Sequence, residues 1–139
     1  MTKKYKILTK FINDMSSETK DTETFLYVKD RITKYKLGIN ITSKALKDKI
    51  IGVNTTLKFE DKEDVPKKSF FEITFTTVVK IEDNINKETL EKILLCDVQE
   101  EIGTYIEKSF LNLLHNSGYT GFEFEKKINF AKLYEKNLN

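Results

Sequence analysis

Hydrophobic and polar residues alternate along three stretches of the first two thirds of the chain. In residues 53–59 and 71–81, every second position is apolar or a threonine, and most intervening positions are polar. A period of two is typical of a strand with one buried face and one exposed face. The polar segment 61–68 between them is too short for a crossover helix, so the two strands are predicted to form an antiparallel hairpin. The same alternation over residues 35–42 predicts a third strand.

The first 32 residues carry a weaker pattern. Residues 5–12 and residues 25–32 are both partly apolar, and either segment is compatible with an extended conformation. The polar segment 16–22 between them contains residues that favour turns. We therefore expect a strand on each side of a polar turn.

The apolar period changes to three and four residues after Asn86. Between residues 90 and 114 this spacing aligns the apolar side chains on one face of a helix. Asn86 is predicted to be the N-cap, and Gly118 is predicted to end the helix. The pattern is long for one globular helix, so we expect a short helix, a break within Cys96–Gln99, and then a long helix. Residues 130–138 predict a terminal helix, and strands followed by helices indicate an α+β fold.

Length, charge and composition limit the classes of function. The chain has 139 residues without a linker, which predicts a single domain over residues 1–139. The net charge of +2 is spread along the sequence and does not favour nucleic-acid binding. A single cysteine, Cys96, and the lack of a signal peptide or a long apolar run predict a cytoplasmic protein without membrane insertion. With His115 as the one histidine and no glycine-rich phosphate loop, we expect no enzyme, no metal site and no cofactor.

Five segments carry a resemblance to a known family. Residues 11–18 contain an aromatic and apolar pair, a polar residue, Asp, an apolar residue, Ser and Glu. Residues 70–81 are similar to a fourth strand and residues 102–114 to a long helix. Gly118-Tyr119 then leads, at the same spacing, to Ile-Asn-Phe-Ala-Lys-Leu-Tyr at residues 128–134. In order and spacing, these segments resemble the SecB protein-export chaperone family over nearly the whole chain.

The resemblance implies a four-stranded antiparallel sheet with a long helix and a short C-terminal helix packed on one face. It implies a dimer of dimers that holds unfolded polypeptides in apolar grooves without ATP and passes them to a SecA-like motor ATPase. The positions that correspond to the client-binding groove are Leu37, Ile39, Ile41, Tyr134 and Leu138. The positions that correspond to the motor-facing acidic surface are Asp14, Glu18 and Glu72.

Three features depart from the family's pattern. The sequence ends at Asn139, where exporting members carry a further polar tail that reaches the motor. The loop over residues 120–127 lacks the family's prolines, and the composition is mildly basic where the exporters are acidic. We expect client holding to survive these changes better than coupling to the motor. A SecB-like chaperone dedicated to one client, such as an antitoxin, is therefore an alternative.

The residues alone leave other interpretations open. Leu37, Ile39 and Ile41 alternate as in any core strand, and scattered surface carboxylates usually have no measurable role. Sixteen aromatic residues, ten Phe and six Tyr, favour a binding surface. Such a surface would also suit a regulatory module with one folded partner, and a small-molecule pocket is a third alternative. The helical apolar stripe, together with Phe70 and Val78 on the opposite face of their strand, predicts self-association.

Overall fold

The computed structural model describes residues 4–124 and contains four antiparallel strands in one sheet. The strand order across the sheet is β1-β4-β3-β2, so β1 and β2 form its two edges. The strands comprise Tyr5–Glu18 (β1), Lys36–Ala45 (β2), Ile50–Glu60 (β3) and Phe70–Ile81 (β4). The predicted α+β class, the third strand and the antiparallel hairpin of β3 with β4 are confirmed.

The alternation in β3 and β4 separates a helix-facing side of the sheet from an outer side. The helix-facing side chains are almost completely buried: Val53, Thr55, Leu57, Phe59, Phe71, Ile73, Phe75, Thr77 and Val79. The outer side is largely polar, and hydrogen bonds join its central threonines and asparagines across the strands. Thr56 contacts Thr74 at 3.0 Å, and the Thr76 hydroxyl donates to Asn54 Oδ1 at 2.7 Å. Among residues 4–124, the core therefore lies on the helix-facing side of the sheet.

The two edge strands differ in regularity. The pairing of β1 with β4 shifts register twice, between Ile7 and Thr9 and between Ile12 and Asp14. Each shift is a bulge, which bends an edge strand and increases its twist. In contrast, β2 pairs with β3 over all ten of its residues without a shift.

The strand predicted over residues 25–32 is wrong, because this segment begins with an α-helix, Thr22–Lys29 (α1). The Asp21 carboxylate caps the helix by accepting a hydrogen bond from the Thr24 amide at 2.8 Å. Thr24 and Val28, four residues apart, are the positions of this helix that are fully buried. The predicted turn over residues 16–22 is also too long, since β1 continues to Glu18.

Helices cover one side of the sheet, as predicted. Asn86 caps Lys87–Lys92 (α2), and its Oδ1 accepts from the Thr89 amide at 2.7 Å. The expected short helix before a long one is confirmed. However, the junction is a π-helical turn over Ile93–Asp97 rather than a break, and Val98–Asn116 (α3) follows directly.

The long helix α3 supplies the other half of the core. Its sheet-facing residues are almost completely buried: Val98, Ile102, Ile106, Phe110 and Leu114. Gly118 ends the helix with a φ of 107°, as the sequence predicts, and the Tyr119 amide donates to the Leu114 carbonyl at 3.0 Å. The predicted terminal helix over residues 130–138 lies outside the described residues.

Candidate functional site

An apolar row follows the helix-facing side of edge strand β2. Leu37, Ile39 and Ile41 lie opposite Phe59, Leu57 and Thr55 of β3, respectively. The three β3 side chains are fully buried, whereas the β2 side chains are only half-buried. Because β2 is at the edge of the sheet, its row has a packed neighbour on one side and none of the described strands on the other. The three residues predicted for a groove are thus brought together and are partly accessible.

Two aromatic rings from the segment after α3 lie near the Leu37 end of this row, since they pack on the core around Phe59, the strand partner of Leu37. Phe122 packs against Phe59 with ring centres 5.2 Å apart, and Phe124 stacks on Phe110 at 6.1 Å. His115 Nε2 donates a hydrogen bond to the Phe122 carbonyl at 2.9 Å and so ties this segment to the end of α3. We call Leu37, Ile39, Ile41, Phe122 and Phe124 together the apolar strip.

Phe122 and Phe124 are not among the groove residues predicted from the sequence, although two aromatic residues two positions apart in a loop are a usable signal. Both rings also border a surface cavity of about 620 Å³ between the end of α1 and the segment after α3. Ile32 and Tyr119 complete its apolar wall. Tyr134 and Leu138, the other predicted groove residues, lie outside the described part of the chain.

The three predicted acidic residues lie close together on the outer side of the sheet. Asp14 and Glu18 are exposed on β1, and the residue between them on that face, Ser16, lies opposite Glu72 of β4. Glu72 is half-buried and lies opposite Lys58 of β3. The acidic group is therefore compact, and it has a lysine at its inner boundary.

Edge strand β1 exposes large apolar side chains. Leu8, Phe11, Ile12 and Met15 are between 40% and 53% exposed. Isolated exposed hydrophobic residues are ordinary, but several on one edge strand mark an interaction surface. In the described part of the chain, this strand thus carries exposed apolar residues on the edge opposite the apolar strip, with Phe11 on the outer side and Ile12 and Met15 on the helix-facing side.

Two side chains of types that often act in catalysis, Cys96 and Tyr5, have surroundings that disfavour their ionised forms. Cys96 is buried, and burial raises the pKa of its thiol, which disfavours the reactive thiolate. Burial, together with the hydrogen bond that its hydroxyl donates to Glu101 at 2.7 Å, raises the pKa of Tyr5 above its ordinary value. Residues 4–124 contain no group of three or more His, Cys, Asp or Glu side chains arranged to hold a metal ion. None of the helices in the same range is both long and apolar enough to cross a membrane.

Comparison with known proteins places this fold in a family. The sequence profile of the family described as "SecB: Preprotein translocase subunit SecB" matches residues 1–139. A Pelagibacter ubique (strain HTCC1062) protein, named as a protein-export protein SecB, is 53% identical over 140 residues and is covered completely, as is this chain.

A solved structure has a similar fold at low sequence identity. It is the SecB-like chaperone Rv1957 of Mycobacterium tuberculosis in complex with a ChAD peptide from the antitoxin HigA1, Rv1956. The TM-score is 0.62 at 13% identity, covering 88% of this chain and 90% of the other. The profile and the close relative settle the family, and the solved structure agrees in fold. The chain therefore belongs to the SecB family of protein-export chaperones, which are not enzymes.

Proposed function

We propose that this protein is an ATP-independent holdase that binds unfolded polypeptides along the apolar strip. The observation that carries the proposal is the row of Leu37, Ile39 and Ile41, half-buried on an edge strand, with the rings of Phe122 and Phe124 near its Leu37 end. A chaperone for many clients needs apolar area and backbone contacts rather than a few directional polar groups. Each apolar client side chain that becomes buried contributes roughly 1.5–3 kcal/mol before ordering costs.

The proposal predicts that the protein suppresses the aggregation of an unfolded client at stoichiometric concentration without nucleotide. Ile39→Gln should weaken this suppression several-fold, because it places an amide in the middle of the strip. Leu26→Gln is the matched control, since Leu26 lies on α1 and is more exposed, at 56%. Light scattering of the client measures both. If the unmodified protein does not suppress aggregation, or if both variants lose the activity equally, the proposal is wrong.

We further propose that Asp14, Glu18 and Glu72 face an electropositive partner, the export motor ATPase, and that the protein acts in the cytoplasm as one domain. The compact arrangement of the three carboxylates supports a charged contact, and the motor is the partner that the family resemblance implies. Electrostatic contacts of this kind act mainly on the association rate.

This second contact has its own test. Asp14→Lys combined with Glu18→Lys should slow association with the purified motor several-fold at low salt, and the difference should shrink at high salt. Asp64→Lys, at an exposed position of the β3–β4 loop, is the control. An unchanged association rate would contradict the proposed contact and would favour the alternative of one dedicated client. A SecB-like chaperone of similar fold is bound to an antitoxin peptide, which suggests an antitoxin as the class of client for that alternative.

Self-association belongs to the same proposal. We propose a dimer, or a dimer of dimers, in which the exposed apolar residues of β1 are covered by a second copy of the chain. Repetition of the apolar strip in such an assembly would let one long client bind several copies, which raises avidity without a new type of contact.

A further inference from the structure

Two lysines face each other on the outer side of the sheet, at the end away from the acidic group. Lys6 of β1 and Lys80 of β4 are exposed and are direct partners in the strand register. None of the ion pairs found among residues 4–124 involves either lysine. Like charges directly opposite each other on a sheet are destabilising. An anion between the two ammonium groups would remove this repulsion.

A surface cavity of about 500 Å³ lies beside the lysine pair. Lys6, Lys49 and Lys80 are in its lining, together with the acidic residues Glu82 and Asp83. Asp83 forms an ion pair with Lys49. The cavity thus contains two ammonium groups, those of Lys6 and Lys80, that form no ion pair within the described part of the chain.

Apolar side chains continue the row of this lysine pair across the sheet. Lys80 lies opposite Ile50 of β3, and the Leu46 amide donates to the Ile50 carbonyl at 2.7 Å, which extends the pairing of β2 with β3 by one residue. The row across the four strands is therefore Leu46, Ile50, Lys80 and Lys6. Leu46 is 52% exposed at the turn between β2 and β3. An exposed aliphatic side chain and exposed lysines thus share one end of the outer side.

The charge of this end is positive. Residues 4–6, 44–50 and 80–83 together contain six lysines and three carboxylates. One of these lysines, Lys44, is exposed two residues before Leu46 on the same side of β2, and it is also absent from the ion pairs of residues 4–124. We call the following four residues the lysine end: Lys6, Lys44, Leu46 and Lys80.

We propose that the lysine end binds the surface of a membrane that contains anionic phospholipids. The lipid phosphates would lie against the lysines, and Leu46 would enter the boundary between headgroups and acyl chains. A nucleic acid also supplies phosphates, but it has no apolar layer for an aliphatic side chain. The contact goes beyond client holding, because it uses neither the apolar strip nor the acidic group.

The position of the lysine end leaves the acidic group accessible. Lys80 and Glu72 are both on the outer side and are eight residues apart on β4, which is about 27 Å along an extended strand. A protein bound to a membrane through the lysine end could therefore present the acidic group to a motor at the same time.

Co-sedimentation of the full-length protein with lipid vesicles tests the proposal. At low salt, vesicles of equal parts phosphatidylglycerol and phosphatidylcholine should bind the protein at least about 10-fold more strongly than vesicles of phosphatidylcholine alone, and high salt should remove most of this difference. Lys6→Glu combined with Lys80→Glu should weaken binding to the anionic vesicles at least about 10-fold. The control is Lys36→Glu combined with Lys58→Glu, which makes the same change in net charge near the acidic group and should weaken binding less than about 3-fold.

The apolar part of the contact has its own variant. Leu46→Gln should weaken binding to the anionic vesicles about 3- to 10-fold and leave its salt dependence unchanged. Leu26→Gln is the matched control, since Leu26 is 56% exposed on α1. Lys6→Gln combined with Lys80→Gln removes both charges without introducing a new repulsion. It should weaken binding at least about 3-fold, so the test does not depend on whether the glutamate variant folds.

The contrary results are equally specific. Equal binding of the two kinds of vesicle, or equal loss of binding in the two double glutamate variants, would overturn the proposal. Tighter binding of a single-stranded RNA oligonucleotide that displaces the vesicles, with no effect of Leu46→Gln, would also overturn it, because a surface for polyanions would explain that result. All these variants should suppress client aggregation as the unmodified protein does, so a failed membrane contact and a failed holdase are distinguishable.

Discussion

At the scale of single residues, a buried carboxylate fixes the start of β2. Asp61, only 4% exposed, accepts hydrogen bonds from Arg31 Nε at 3.0 Å and from the Glu63 amide at 3.1 Å. Arg31 Nη2 also donates to the Glu63 carboxylate at 2.8 Å. These contacts tie the segment before β2 to the loop after β3, so the first residues of the apolar strip have a defined position. The hydrogen bond from Arg31 lowers the pKa of Asp61.

A lowered pKa in the folded state gives this pair a predictable pH dependence. An unfolded Asp titrates near about 4, so the pair contributes its full stabilisation above that pH and loses it as the pH falls through the folded pKa. We expect Asp61→Asn to lower the free energy of unfolding at pH 7 and to flatten its decline at acid pH. Urea unfolding between pH 7 and pH 3 measures this, with Asp64→Asn, on the same loop and exposed, as control. An unchanged acid slope would contradict the assignment.

At the scale of elements, a buried amide accounts for the π-helical turn before α3. Gln99 is fully buried, its Nε2 donates to the Leu94 carbonyl at 3.2 Å, and its Oε1 accepts from the Thr55 hydroxyl at 2.8 Å. A π turn alters the helical hydrogen bonds, and here a side chain supplies a partner for one carbonyl. The same side chain joins the helix to β3. The turn is therefore held by the core and is not a local weakness.

This bridge gives a thermodynamic prediction. Gln99→Leu should reduce the free energy of unfolding by about 1–3 kcal/mol, because it leaves the Leu94 carbonyl and the Thr55 hydroxyl without a partner. Adding Thr55→Val should cost less than its effect in the unmodified protein, since the hydroxyl is already unpaired in the first variant. A double-mutant cycle by chemical denaturation measures this coupling. Strictly additive effects would show that the bridge does not contribute.

The same elements show what could be predicted from sequence. In β3 and β4 one face is buried throughout, so the alternation of apolar and polar residues was unambiguous. The ends of the helical region at Asn86 and Gly118 were also predictable, because capping depends only on residues close in sequence. The segment from Phe25 to Ile32 was misread because a two-turn helix and a short strand can have similar apolar spacing. The acidic residues followed from the family resemblance, whereas their proximity depends on the register of β1 with β4, which no local signal specifies.

At the scale of the whole molecule, residues 4–124 present apolar side chains at both edges of one sheet. The apolar strip borders a straight strand, whereas the exposed residues of β1 lie on a strand with two bulges. We therefore expect a charged substitution in the apolar strip to weaken client binding. A charged substitution among the exposed residues of β1 should instead weaken self-association.

We expect light scattering of the full chain at micromolar concentration to show a dimer or tetramer. Phe11→Asp should shift the population toward the monomer of about 16 kDa, because burying a carboxylate in an apolar interface is costly. Leu46→Asp, at the exposed turn between β2 and β3, is the control, since this side chain is similarly exposed at 52%. A monomer for the unmodified chain would contradict self-association and weaken the chaperone proposal.

The irregularity of β1 has a consequence for how far such molecules can grow. Two straight, uncharged edges on one sheet would let copies add end to end without limit, as they do in fibrils. In the proposed dimer, the bent edge would match best a partner with the same irregularity, so pairing there would close after two subunits related by a two-fold axis. The inequality of the two edges thus allows a protein with an open strand to remain a finite particle.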